Sequence, residues 1–433
     1  MNCKLIPIVS MLIISCQQKE KSIDFTFTKD GAWCWFSDPR GLYIEGENPS
    51  IISGWVKKNG TIEAGLITLK DLSIDYEILY TELEKDDHDN PAFAQFSDGT
   101  LFASYAWHST DKGILTQKGS AEDHKLTFEK ANHILPFDSL TYREFPKVSY
   151  TYANPYILKN ENERIYCFGR WIGFKPNVIR SDDNGDTWTD PRVVIAPKPF
   201  SGNNRPYVKY YSDGKSRIHI AFTDGHPRVE PLNSIYYAYY EGGSFYKADG
   251  TKICDMNGLP FEPKDATIIY KADSVQGRAW IWDFTADNDQ HPTIAYTKLP
   301  SETDHKYFFS SYDGTNWKEK KICDGGKWFP MTPKGEIERE PHYSGGITIH
   351  PSKKNVFFLS REVDSTFEIE RWELIDDIWN TQSVTSNSPY DNIRPHVPRG
   401  LPGDREIVLW MENRKYIHYT QFDASIKGKV LNQ

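Results

Sequence analysis

Two imidazoles twenty positions apart, His88 and His108, flank a short alternating run in "DDHDNPAFAQFSDGTLFASYAWHS". An unperturbed histidine titrates near pH 6.5, so it can hold or release a proton close to neutrality. The Ser97-Asp98-Gly99 stretch between them reads as the tip of a hairpin, which returns the second strand to the end where the first began. Both rings can therefore face one cleft. Glycoside hydrolysis would need two carboxylates flanking the bond. Asp86, Asp87, Asp224, Glu340 and Glu412 are available, but no pair among them stands out. β-Elimination from a uronic acid asks for other parts: a cation or strong donors on the C5 carboxylate, a base for the C5 proton and an acid for the oxygen leaving C4. Histidine, tyrosine and arginine supply all three roles without a metal.

The elements that would position these residues are short and strand-like. The chain shows alternating runs separated by Asp-Gly and Asn-Gly turns and no long amphipathic helix, and 14% of its 433 residues are aromatic, which favours β structure and suits stacking on sugar rings. A polar residue, a proline and then an apolar strand recur at Pro39, Pro91, Pro155, Pro206, Pro292, Pro341 and Pro395. The spacing is about fifty residues, the period of a propeller blade, with one longer gap that an insertion near residues 240–275 would fill. Proline suits the first residue of a strand, where its missing N–H costs little. "SDDNGDTW" (Ser181 to Trp188) fits the Asp-box turn of sialidase-like propellers, and "SYDGTNW" (Ser311 to Trp317) is a shorter copy. The expected fold is all-β: a seven-bladed β-propeller of four-stranded antiparallel blades over residues 25–433.

In that fold the residues before each proline gather at one mouth of the central channel: Asp38, Asn90, Asn154, Arg205, His291, Glu340 and Arg394. The ends of the returning strands reach the same mouth with His108, Arg170, Asp224, His226, Arg361 and Glu412. Asn90, Asn154, Arg205, His226, Arg361 and Arg394 are the expected substrate contacts. Such a mouth suits an anionic sugar, and the net charge of −9 argues against nucleic acid as a partner. No cofactor is required for the chemistry. Asp224 and His226 are the two candidate ligands for a structural metal ion, with turn-stabilising hydrogen bonds as the better role for both.

The first residues read as targeting sequence. Lys4, an apolar stretch from Leu5 to Ile14 and then Ser15-Cys16 are too short to span a bilayer and match a lipoprotein signal over residues 1–15. Cys16 would carry the lipid, residues 16–24 would form a tether, and the protein would be a monomer at the cell envelope, on the outer membrane or facing the periplasm. The remaining cysteines, Cys34, Cys167, Cys254 and Cys323, sit in or beside apolar runs and read as buried free thiols.

"DGAWCWFSDPR", "DDHDNPAF", "RPYVKYYSDGKSRIHIAFTDGHPR" and "NSIYYAYYEGGSFYKADGTKI" resemble the BNR-repeat propellers that include ulvan lyases of polysaccharide lyase families 24 and 25. The resemblance implies a seven-bladed propeller acting on an anionic algal polysaccharide or oligosaccharide, a sulfated rhamnose–uronate glycan, by β-elimination. It also implies a site of two histidines, a tyrosine and an arginine that neutralises the uronate. His88 and His108 match the pair; Tyr152 in "SYTYANPY" matches the tyrosine, and Arg170 in "FGRW" the arginine, with Arg205 in reserve. His88 and Tyr152 take acid and base duty, and His108 positions substrate or shares that duty. The alternatives are an oligosaccharide dehydratase acting on a terminal uronate, an exo-acting α-L-rhamnosidase, and a glycan-binding propeller without catalysis.

Overall fold

The computed structural model describes residues 22–301, 304–326 and 345–432. The signal segment, Cys16, most of the tether, Glu340 and Pro341 lie outside the described residues. Seven antiparallel sheets follow one another around a central channel. Five have four strands each. The second blade carries five strands, and the fourth carries six. The one α-helix among the described residues is short, Ser139–Glu144.

The innermost strands of blades 1 to 4 are Gly41–Ile44, Ala92–Gln95, Asn154–Leu158 and Val208–Ser212, each at or just after its marker proline. Blade 5 breaks the pattern. Its innermost strand is Arg278–Ala286, which contains no proline, and Pro292 opens the second strand, Pro292–Ser301. His291 therefore lies at the opposite mouth, in the turn whose Asp287 accepts its N–H at 2.9 Å. Blades 6 and 7 begin with Ile347–His350 and Asp391–His396. The expected insertion is real: the Ser244–Tyr246 and Lys252–Asp255 hairpin extends the blade 4 strand Ile235–Glu241 beyond its Tyr239–Glu241 end. That end faces away from the His108 mouth, so the hairpin does not wall off the cleft.

The ring is closed by the two ends of the described chain. Ile23–Thr28 pairs antiparallel with Gln421–Asn432 and forms the outer strand of blade 7. The chain then turns inward, and residues 32–38 ("AWCWFSD") fill the channel. Trp35 stacks on Trp282 at 4.1 Å between centroids and donates its indole N–H to the Ile281 carbonyl. Trp33 donates to the Arg394 carbonyl. Burying one such ring removes roughly 150–250 Å² from water, worth about 4–6 kcal/mol before entropy is counted. The plug is also latched by polar groups. Asn90 accepts from the Cys34 N–H at 2.9 Å and donates to the Ser37 carbonyl. Asn154 accepts from the Asp38 N–H and donates to the Phe36 carbonyl.

The Asp-box folds as its residue types require. Asp183 accepts from the Thr187 N–H and hydroxyl at 2.8 and 2.6 Å, Ser181 Oγ accepts from the Gly185 N–H, and the Trp188 indole caps the Gly185 carbonyl. The turn joins the outer strands of blade 3, Pro176–Ser181 and Arg192–Val193, at the mouth away from His108.

Candidate active site

His88 sits in a 3-10 turn, Asp87–Asp89, whose N-cap is Asp86. A carboxylate at that position accepts the His88 backbone N–H, at 3.0 Å here, which is why Asp before a tight turn nucleates it. The same carboxylate does more. Asp86 Oδ1 accepts from His88 Nδ1 and Oδ2 from His108 Nδ1, both at 2.7 Å. The two imidazoles stack, with centroids 4.0 Å apart and planes within 15°. His108 stands just past the strand Leu101–Ala106, held by its N–H on Glu84. Tyr419, in the turn that joins the last two strands of blade 7, meets both rings edge-on at 4.9 and 5.2 Å.

One proton is shared unequally across this pair. Burial opposes charge on Asp86, but His108 and His88 overcome it and hold the carboxyl well below its usual range. Burial also opposes a charged His88, yet its neighbours Cys34, Tyr152 and Asp86 raise its pKa well above 6.5. Of these, Asp86 is an anion throughout the neutral range. Burial and the neighbouring His88 charge push His108 down to about 4. Charge on the pair is thus favoured on His88. His108 is a neutral ring whose Nδ1 proton is committed to Asp86, leaving Nε2 as an acceptor.

Arg170 ends the strand Arg164–Arg170 and is 5% exposed. Its guanidinium lies over the Tyr152, Phe174 and Tyr207 rings at 5.4, 4.6 and 5.0 Å. Nη2 reaches Thr151 Oγ1 at 3.5 Å, while Nε and Nη1 have no hydrogen-bond partner among the described residues. A buried guanidinium with unspent donors is costly unless a ligand supplies the acceptors. Tyr152 stands between the imidazole pair and Arg170, 6.0 Å from His88 by centroid. It is nearly buried, and its φ of +64° is unusual for a bulky residue, a strain that collects at functional sites. Burial keeps its hydroxyl protonated, with a pKa well above 10 despite His88 and Arg170.

These groups surround a pocket of about 160 Å³ lined by His88, His108, Arg170, Arg205, Tyr207, His226, Arg228 and Tyr419. Arg205 packs over Phe174 at 4.4 Å. His226 rests against Trp280 and Tyr207, at 4.9 and 5.4 Å. Burial, with Arg228, Arg205 and Arg170 around it, keeps its pKa well below 6.5. The pocket is thus cationic on a protein whose net charge is −9, an arrangement that draws an anion to one place.

His88, His108, Arg170, Arg205 and His226 meet here as their positions in the repeat imply, with Tyr152 directly behind. Four expected substrate contacts do not. Asn90 and Asn154 are buried and spend their amides on the plug. Arg394 is 2% exposed and bound to Asp87, the Trp33 carbonyl and Tyr416. It therefore braces the His88 turn from below. Arg361 pairs bidentately with Glu370 in blade 6 and does not line the pocket. Asp224 accepts from the Ser234 N–H and the Tyr236 hydroxyl, so it shapes a turn and does not join His226 as a ligand pair. Asp86, His88 and His108 do bring ligand-type atoms within 4.8 Å of one another, but those atoms already satisfy each other. The bridging role of Asp86 and the parts of Tyr207, Arg228 and Tyr419 were missed. Tyr207 and Arg228 fall inside "RPYVKYY" and "TDGHPR", whereas nothing local marks Tyr419.

The profile of a family described as BNR repeat-containing family member matches residues 53–324. None of the curated proteins compared matches the chain. Among solved structures, a PL25 ulvan lyase bound to -[GlcA(1-4)Rha3S]- aligns with a TM-score of 0.66 at 11% identity, covering 93% of this chain and 94% of that one. A second PL25 ulvan lyase structure gives 0.67 at 11% identity over the same shares. The polysaccharide lyase Uly1 gives 0.59 at 12% identity, over 95% of this chain and 99% of that one. At such identities the likeness is one of fold, carried along nearly the whole of each chain.

Proposed function

Since this chain belongs to the BNR repeat-containing family, we propose that it is a carbon–oxygen lyase that acts by β-elimination on uronate residues of a sulfated rhamnose–uronate glycan. The observation that carries the reading is the imidazole pair bridged by Asp86, set beside an arginine with unspent donors. Arg170, with Arg205 near it, receives the C5 carboxylate and makes the C5 proton more acidic. Neutral His108 takes that proton at Nε2, and Asp86 stabilises the imidazolium that forms. The Tyr152 hydroxyl gives its proton to the oxygen leaving C4 and is reprotonated by the His88 imidazolium. As His88 loses its charge, His108 becomes a stronger base, so the pair carries one positive charge before and after the step. The neighbours named as polysaccharide lyases, aligned along nearly the whole of each chain, support the class of reaction.

A second reading, a dehydratase that expels water from a terminal uronate with a free O4, is favoured by pocket size. About 160 Å³ is well below the ~300–1,000 Å³ of ordinary ligand sites and fits one sugar residue. Hydrolysis by a rhamnosidase is less well served, because both Asp86 oxygens are engaged by imidazoles. The test is ultraviolet absorbance of the C4–C5 double bond on mixing with ulvan or with short ulvan oligosaccharides bearing a saturated terminal uronate. A rise with falling chain length supports the lyase. A rise on oligosaccharides alone, with loss of one water in mass, moves the assignment to the dehydratase. No rise on any substrate sinks both and leaves hydrolysis or binding without catalysis.

A further inference from the structure

Lys147 carries a charge beside the reactive pocket that the proposed reaction does not use. Three segments meet there: the stretch just after the helix Ser139–Glu144, the tight turn at residues 171–175 and the loop at residues 198–206. Phe174 sits in the turn with a φ of +60°, a costly conformation for a bulky residue that fixes where its ring stands. Arg170, Arg205 and Lys147 all lie against that ring, 4.6, 4.4 and 4.3 Å from its centroid. Lys147 and Arg205 are therefore separated by no more than one ring and its two contacts.

Both of these side chains reach solvent. Lys147 is exposed, and Arg205 is half-buried and lines the pocket with Asn203. Among the described residues no ion pair or side-chain hydrogen bond holds either one. Burial, with Arg170 and Arg228 nearby, lowers Arg205, but a guanidinium keeps its proton all the same. Buried Lys175 donates to the Ser201 and Asn204 carbonyls and so steadies the loop that carries Arg205. Burial, Arg205 and Lys147 bring Lys175 down to about 8, so the lasting charge on this side rests with Lys147 and Arg205. A ring attracts a cation weakly, whereas like charges held this close repel, and an anion placed against both turns that repulsion into attraction.

Resting on the reading that Arg170 receives a uronate carboxylate, we propose that Lys147, with Arg205, forms a second anion seat that takes the ester sulfate of the sugar next to that uronate, and that Lys147 is a specificity-determining residue. In a chain that alternates rhamnose and uronate, the neighbour of a uronate carries sulfate and no carboxylate, and the next carboxylate lies two sugars away. Lys147 suits the task because an ammonium on a flexible stem meets a tetrahedral oxyanion from any side.

The test measures binding. A uronate–rhamnose disaccharide, with and without a 3-sulfate on the rhamnose, is titrated into the whole chain carrying His108→Ala, which removes the proposed base. The sulfated sugar should bind roughly three- to tenfold tighter, the gain from a charge-assisted contact at an exposed site, and the margin should shrink as salt is added. Adding Lys147→Ala should abolish the margin while leaving affinity for the unsulfated sugar and the thermal unfolding curve unchanged, and Lys147→Arg should keep it. Equal affinity for the two sugars, a margin indifferent to Lys147→Ala, an equal loss for both sugars, or binding of neither would each overturn the proposal. The ultraviolet assay on the unmutated chain reads the reaction separately. No absorbance rise with the sulfate margin intact sinks elimination and leaves the seat, and a rise without the margin sinks the seat alone.

Discussion

Replacing Asp86 by asparagine preserves shape and removes the one charge that both imidazoles lean on. The carboxylate accepts two ring N–H groups at 2.7 Å each and the His88 backbone N–H at 3.0 Å. A hydrogen bond to a charged group contributes about 1.5–3 kcal/mol and a neutral one about 0.5–1.5. The His88 imidazolium therefore loses roughly 1.5 kcal/mol on this count, about one pKa unit. The lost attraction between unit charges near 4 Å adds at most about 4 kcal/mol at an effective dielectric of 20. The pKa of His88, raised in the wild type, should fall by about one to three units. A proton donor that is lost on raising the pH sets the alkaline limb of kcat/KM, so that limb should move to lower pH by at least about one unit. At pH 8 the fall in kcat/KM should be roughly 10²–10³-fold, since His108 also loses the group that fixes its tautomer. KM should change little because Arg170 is untouched. The assay is the rate of absorbance gain on oligosaccharide from pH 4 to 10. An alkaline limb that stays in place in the variant would refute the shared-proton account. Stability offers a second readout. A carboxyl held below its unfolded pKa stabilises above that value and loses the effect as pH falls through the lowered one. The variant should be less stable than wild type at pH 7 and should converge with it in strong acid.

Tyr152→Phe should lower kcat by roughly 10²–10³ with an unchanged thermal unfolding curve, the cost of one positioned proton donor; a rate within a factor of about three of wild type would remove Tyr152 from the reaction. In the wild type, kcat/KM should rise with pH through about 4 as His108 becomes neutral, which initial rates on the acid side measure directly. Arg170→Gln should lower kcat/KM by roughly 10²-fold or more on uronate substrates, because the C5 proton is no longer acidified. Arg394→Met should destabilise the fold by about 3–5 kcal/mol in denaturant titration, since it strands Asp87 without its buried partner.

The repeat was legible because proline has a physical reason to open inner strands, and Pro39, Pro91, Pro155 and Pro206 do mark blades 1 to 4. It misled at Pro292, where an equally good strand start belongs to the second strand of blade 5. The histidine pair was legible for a similar reason: a hairpin of regular length returns its end to its beginning. What could not be read was what fills the channel. Asn90 and Asn154 were placed at the correct end of their strands, whereas Arg394 lies within Asp391–His396 at a break in register and Pro395 does not open that strand; the side chains of all three bond to residues 32–38, a partner set only when the ring closes. Tyr419 lies more than three hundred positions from His88, and no spacing rule reaches that far. Asp86 was visible as a carboxylate, but bridging two rings needs both strand ends at once.

The stretch that closes the ring is continuous with the stretch that floors the pocket. Ile23–Thr28 needs Gln421–Asn432 as its partner, and only three residues lead from Thr28 to the plug segment that begins at Ala32. On a ribosome, Ile23–Thr28 must therefore wait for Gln421–Asn432, a closure across nearly all of the described residues. Six blades could stack before that moment, yet the seat beneath His88, whose carbonyl accepts from the Ser37 hydroxyl, would still be empty. A chain cut short at its C-terminus would keep His88, His108, Tyr152 and Arg170 and lose the hold on the segment beneath them, so the proposed activity would report late on completeness.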